Sequence, residues 1–193
     1  MKKIIIGLLL VVFLVGNALA LRLPYVPSER WIIIDSRITE FEAVNVITKI
    51  IDLDQKKGDI RVYIYSPGGD VKAGLVIIDA IKTAKNDIQV VGIGVVSSMA
   101  TYIFASCTKG KRVLFEHSEV YIHEIFFSDE ENLTEEDKLE LEKEQSVLNL
   151  ILIKNSKMKP EDIKKWNRRI MPAKKAIELG IADGLYEKEE DKE

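Results

Sequence analysis

The chain has 193 residues, of which 47% are hydrophobic and 31% charged, and its formal net charge is −3. That length holds one sizeable core and is short for two, and a mildly acidic chain lacks the basic footprint of a nucleic-acid binder. A single cysteine, Cys107, excludes an internal disulfide and has no second Cys or His at metal-ligand spacing, so no metal and no other cofactor is expected.

Met1-Lys2-Lys3 is a positive start, residues 4–15 form an unbroken apolar run, and Ala18-Leu19-Ala20 is an A-x-A cleavage pattern. Together they predict a secretory signal peptide over residues 1–20 and an extracytoplasmic location, secreted or periplasmic. An uncleaved membrane anchor is the alternative, although the run is short for the roughly 20 residues of a spanning helix. Residues 21–29 are placed as an N-terminal extension, of which 21–28, with Pro24 and Pro27, is expected to be extended or a loop. The main domain is placed at 30–186, followed by an acidic tail at 187–193.

Residues 31–35 read as a strand, and Thr39-Glu40-Phe41-Glu42 resembles a capping box that opens a helix to about residue 53. Val44, Ile47, Ile50 and Ile51 are the expected apolar face of that helix. Lys56-Lys57-Gly58-Asp59 turns the chain into a strand at 60–65, which ends at Ser66-Pro67-Gly68-Gly69. Those glycines permit positive φ and close backbone approach, so backbone amides there can face a bound carbonyl. Asp70 is a candidate cap for a helix to about residue 83, with Leu75, Ile78 and Ile81 inward.

Residues 88–96 are apolar and β-branched, as in a buried strand, and 99–107 continue at helical spacing. Ser98 therefore sits at a strand-to-helix turn, where a hydroxyl is exposed beside the free N–H groups of a helix start. An N-capping role for Ser97 and Ser98 is the ordinary alternative. Of the two histidines, His117 falls in a turn, whereas His123 ends a short strand at 119–122 and can take a proton from a serine hydroxyl near neutral pH. Cys107 is expected to be a buried thiol. Thr134 begins a long helix to about residue 157, charged at first and apolar at Val147, Leu148, Ile151 and Leu152, a face that packs on its own core or on a partner.

Ile93-Gly94-Val95-Val96-Ser97-Ser98-Met99, then Lys109-Gly110-Lys111-Arg112 and Val120-Tyr121-Ile122-His123, with Ser66-Pro67-Gly68-Gly69 and Ala73-Gly74 upstream, resemble the proteolytic subunit of the Clp proteases over about residues 30–185. The resemblance implies an α/β crotonase-like fold, a superhelix of repeated ββα units with a protruding handle helix over the Thr134 segment. It also implies a serine peptidase with Ser98 as nucleophile, His123 as base, and Gly69 and Met99 as oxyanion donors. The implied substrate is a peptide or unfolded protein, and the implied assembly is a homo-oligomer of stacked rings. The match starts near Glu29-Arg30, so the N-terminal axial loops that help the family engage its unfoldase are expected to be missing. An exported copy would have neither ATP nor a Clp ATPase partner, so ATP-independent hydrolysis of short or unfolded polypeptides is expected.

Two departures from the family pattern stand out. The family's triad aspartate falls on Arg168, beside Asn167, and Glu124-Ile125-Phe126-Phe127 replaces the usual Gln-Pro and glycine-rich strand after the histidine. Loss of an orienting acid costs about 10⁴ in rate in known triads, so low activity is expected, and an inactive ClpP-like scaffold subunit is an alternative. Ser-Lys peptidases of the signal-peptide-peptidase and NfeD types offer another, with Lys138 as base, although Glu135, Glu136, Asp137 and Glu140 surround that lysine.

Overall fold

The computed structural model describes residues 20–126 and 133–187. Residues 1–19 of the expected signal peptide, Phe127 and the tail from 188 lie outside the described residues. In chain order the elements are β1 (Ala20–Leu21), β2 (Trp31–Ile34), α1 (Glu40–Asp54), β3 (Ile60–Ser66), α2 (Val71–Thr83), β4 (Ile88–Ser97), α3 (Met99–Ser106), β5 (Arg112–Leu114) and β6 (Glu119–Ile122), then α4 (Glu135–Asn155), α5 (Pro160–Trp166), β7 (Arg169–Pro172), α6 (Ala173–Glu178) and β8 (Gly184–Tyr186). Successive strand–helix units and the long α4 give the α/β, ClpP-like fold that the resemblance implies.

The sheet runs β1-β8-β5-β4-β3-β2 with every neighbouring pair parallel. Its central strands β3, β4 and β5 are buried on both faces over most of their length, which is why they read as nearly continuous apolar runs, whereas edge strand β2 alternates buried and exposed residues. β4 changes neighbours halfway: Val90, Val91 and Gly92 pair with Arg112, Val113 and Leu114 of β5, whereas Val95, Val96 and Ser97 pair with Glu119, Val120 and Tyr121 of β6. Between the halves Gly94 has φ 58°, and the register with β3 shifts between Ile64↔Gly92 and Ser66↔Val96. Glycine meets the positive φ at low cost. The irregularity frees the end of β4 to carry β6, which pairs antiparallel with β7. The tip of β4 thus reaches Ser98 flanked by the two strand ends that hold Gly68 and His123.

The helices pack one sheet face around Ile32, Ile64, Ile77, Phe104, Leu148 and other fully buried residues. Cys107 caps the C-terminal end of α3, and burial pushes its thiol up to about 12, so it is inert as a nucleophile. The opposite face is covered in part by the N-terminal segment: Leu23 packs on Val91 and Val113, and Pro24 O accepts hydrogen bonds from Arg61 Nη2 at 2.7 Å and Gln89 Nε2 at 3.0 Å. The N-terminal stretch is therefore tied to the sheet, and its end departs from the expected extended form, since Ser28–Arg30 makes one 3-10 turn.

α1 differs from its expected face. Ala43, Val46 and Ile50 are buried, while Val44 and Ile51 are 62% and 54% exposed. The helix has two apolar stripes, and α2 covers the one at 43, 46 and 50. Phe41, Val44 and Ile51 share the other, one helical face at i, i+3 and i+10. α4 is likewise apolar on two sides: Leu148 and Leu152 are buried, and Val147 and Leu150 are exposed. It opens on a capping box between Thr134 and Asp137. Among the described residues no helix is long and apolar enough to cross a membrane, and no group of three His, Cys, Asp or Glu side chains is placed to hold a metal ion.

Candidate active site

Ser98 joins β4 to α3 at φ 53° and ψ −128°, and its side chain makes no capping hydrogen bond. A β-carbon at that φ costs about 1–3 kcal/mol and persists only where the surroundings impose it. Here they do. The Ser98 N–H donates to Tyr121 O at 2.7 Å, and Thr101 Oγ1 donates to Val96 O at 2.8 Å and Tyr121 O at 3.1 Å. Gly68, at φ 88°, lies so close that a β-carbon on it would sit 2.6 Å from Ser98 Cβ and 2.8 Å from Met99 N. The capping alternative for Ser98 is thereby set aside: the residue occupies the cap position, but its hydroxyl is not used as a cap.

Candidate oxyanion donors follow by elimination. The Ser98 N–H is spent on Tyr121. Met99 is the first residue of α3, so its N–H has no acceptor within the helix. Ile38 N–H donates to Gly68 O and Asp70 N–H donates to Ile38 O, both at 2.9 Å, and this bridge leaves the Gly69 N–H between them out of the pairing. A β-carbon on Gly69 would meet Ile38 O at 2.1 Å, and one on Gly74 would meet Met99 Cγ at 2.1 Å. Glycine is thus required where α2 and the 66–69 turn press against the Ser98 turn.

Ser98, Met99, Gly69 and His123 line one cavity of about 350 Å³, together with Arg37 and Tyr102. The His123 ring is half-buried between Tyr121 and Phe126, with ring centroids 5.7 Å and 5.3 Å away. Its Nδ1 lies 2.6 Å from Glu124 O. A carbonyl oxygen can only accept, so Nδ1 carries a proton, and in the neutral ring Nε2 keeps its lone pair. That is the tautomer of a general base. Among the described residues no hydrogen bond links the Ser98 hydroxyl to the ring. Such bonds are often long without substrate and tighten in the Michaelis complex.

A second cavity, about 340 Å³, lies on the other side of His123 and is lined by Tyr102, Glu124, Gln145, Asn149 and Asn167 among others. The backbone N–H of Arg168 donates to Ile122 O at 2.9 Å, but its side chain is exposed and lines neither cavity. Asn167 Oδ1 accepts the Glu124 N–H at 3.1 Å. Lys138 is half-exposed, its Nζ is 2.7 Å from Glu135 Oε1, and it too lines neither cavity. A third cavity of about 380 Å³ extends from Gly69 along Asp70, Lys72, Asp137, Glu140 and Glu144.

Arg37, Tyr102 and Gln145 were not among the residues singled out from sequence, and Asn167 was noted only as the neighbour of the triad-acid position. Gln145 carried a signal: it is a polar residue at helical spacing before Leu148 and Leu152, which face the core. Tyr102 is buried on α3, and burial pushes its phenol up to about 12 against the opposing effect of a hydrogen bond with Gln145.

Residues 22–189 match the sequence profile of the family described as Clp protease. The chain is 32% identical over 168 residues to the ATP-dependent Clp protease proteolytic subunit of Lactococcus lactis subsp. lactis, covering 83% of this chain and 84% of that one. It is 32% identical over 164 residues to the same subunit of Ligilactobacillus salivarius, covering 82% and 83%. Against that of Dehalococcoides mccartyi it is 29% identical over 171 residues, 86% of each. The profile match begins upstream of Arg30, in the segment whose Leu23 and Val26 are buried.

Proposed function

The chain belongs to the Clp protease family, whose members are serine-type peptidases, and from that premise we propose that Ser98 is its nucleophile, His123 its base, and the N–H groups of Gly69 and Met99 its oxyanion hole. His123 Nε2 takes the Ser98 proton as Oγ attacks the scissile carbonyl. The developing oxyanion is met by the two N–H donors, and the imidazolium returns its proton to the leaving amine. Water then repeats the sequence on the acyl-enzyme, and the peptide acid is released.

One observation carries this reading above the others: an uncapped serine held at positive φ shares a cavity with a histidine whose proton sits on Nδ1. Fluorophosphonate labelling that disappears in Ser98→Ala tests it. An unlabelled wild-type chain would favour an inactive scaffold subunit, a reading that the arginine at the triad-acid position supports. The Ser98–Lys138 alternative draws no support from the geometry, since Lys138 pairs with Glu135 outside the cavity.

The substrates on this reading are short or unfolded polypeptides, hydrolysed without ATP. The signal-peptide pattern over residues 1–20 supports export to an extracytoplasmic compartment, away from nucleotide and from any Clp ATPase. Cleavage after Ala20 would keep the Leu21↔Tyr186 pair of β1 and β8. Homo-oligomerisation is supported by two exposed apolar stripes, Phe41, Val44 and Ile51 on α1 and Val147 and Leu150 on α4, which a partner copy would cover.

A further inference from the structure

We infer that Gln145 is a positioning residue for His123, acting through the peptide group between Glu124 and Ile125 in place of the absent triad acid. The inference rests on the assignment of His123 as base.

Both ends of that one amide are engaged. Its oxygen, Glu124 O, accepts the His123 Nδ1 proton at 2.6 Å, and its nitrogen, Ile125 N, donates to Gln145 Oε1 at 2.8 Å. An amide that donates strongly at nitrogen is a better acceptor at oxygen, because each hydrogen bond polarises the group toward the other. The direction of the chain is Gln145 Oε1, Ile125 N–H, Glu124 C=O, His123 Nδ1–H. When Nε2 takes the serine proton and the ring becomes positive, the negative end of a polarised dipole already faces it.

Gln145 is itself fixed. Its Nε2 donates to Asn149 Oδ1 at 3.0 Å, one turn along α4, and it lines the same cavity as Tyr102 of α3. The donated amide protons from Ile125 and to Asn149 determine which end of the carboxamide is oxygen. From the other side, Asn167 Oδ1 takes the Glu124 N–H at 3.1 Å. Residue 124 is thus clamped between α4 and the α5–β7 turn, and Tyr102 of α3, which begins one residue after Ser98, lines the same cavity. A structural polar contact alone would not need to converge on the single carbonyl that holds the base. The role also accounts for a glutamine at helical spacing before the core-facing Leu148 and Leu152 of α4.

The test compares wild type, Gln145→Leu and Gln145→Glu in the full chain, reading the His123 tautomer by ¹⁵N NMR and the rate of Ser98 labelling by a fluorophosphonate. Wild type should hold His123 as the Nδ1–H form. Gln145→Leu should populate both tautomers and slow labelling about tenfold, the scale of one lost hydrogen bond, with kcat for a small peptide ester falling and KM unchanged. Gln145→Glu, which keeps the acceptor and adds a negative charge, should retain the Nδ1–H form and label at least as fast as wild type. An unchanged tautomer or an unchanged labelling rate in Gln145→Leu overturns the inference, as does a Gln145→Glu variant as slow as Gln145→Leu. Failure of the underlying assignment has a different signature: labelling that survives in His123→Ala removes His123 as base, while the tautomer measurement still decides whether Gln145 orients the ring.

Discussion

At the scale of single residues the site depends on backbone geometry that few side chains tolerate. Gly68 combines φ 88° with a contact that would press a β-carbon against Ser97 O, Ser98 Cβ and Met99 N. Gly68→Ala is expected to destabilise by about 1–3 kcal/mol and to abolish Ser98 labelling, read together as a Tm shift and a labelling rate; an active variant of unchanged Tm would contradict the account. Arg168, also at positive φ (58°), has an exposed side chain, so its cation is not held against the His123 ring. Aspartate visits that backbone region more readily than arginine, and Arg168→Asp should raise turnover of a small peptide ester, a result checked by steady-state kinetics. Ser98, His123 and Gly68 were legible because each belongs to a local motif at a strand end. Gln145 and Asn167 were not legible as partners of the 123–125 segment, because those contacts span 20 and 43 residues.

At the scale of elements, two polar clusters hold the sheet in register. Arg112, 1% exposed on β5, donates to both carboxylate oxygens of Asp183 before β8, and to the carbonyls of Ala105, Asn155 and Gly180, joining the ends of α3 and α4 to the α6–β8 turn. Removing one partner of such a buried pair costs about 3–5 kcal/mol, so Arg112→Ala should lower Tm steeply or prevent folding. At the same end of the sheet, where the parallel strands begin, Asp59 accepts from Lys111 and Gln89. Burial raises the Asp59 carboxyl, but the bonds from Lys111 and Gln89 and the charges of Lys111 and Arg30 outweigh it and hold the group below its usual range. A depressed carboxyl contributes stability that is present above its unfolded value of about 3.9 and is lost as pH falls through the folded value. Unfolding free energy should therefore fall below about pH 4, and Asp59→Asn should flatten that limb in urea melts at several pH values; an unaltered acid limb would count against it. The helices were legible in outline because their caps are local: Thr39, Asp70 and Thr134 all accept the expected backbone N–H. The buried face of α1 was not, because two apolar stripes fit the same segment and only the position of α2 selects between them.

At the scale of the whole molecule, the strand order could not be read from periodicity, since β4 serves two partners and its switch depends on the irregularity at Gly94. The resemblance supplied the architecture that local pattern lacked. The exposed stripes on α1 and α4 lead to an assembly prediction: sedimentation at micromolar concentration should give a defined oligomer, and Val44→Glu with Ile51→Glu should dissociate it without lowering the monomer's helical content. Degradation of a stably folded protein that required ATP and a Clp ATPase would contradict the proposed ATP-independent role. The central claim is that Ser98 is activated by His123, and paired alanine variants test it most directly. With the rate of fluorophosphonate attachment to Ser98 followed by intact mass, His123→Ala should abolish labelling and Lys138→Ala should leave it near the wild-type rate; labelling that survives in His123→Ala and is lost in Lys138→Ala would assign the chain to the Ser-Lys mechanism instead.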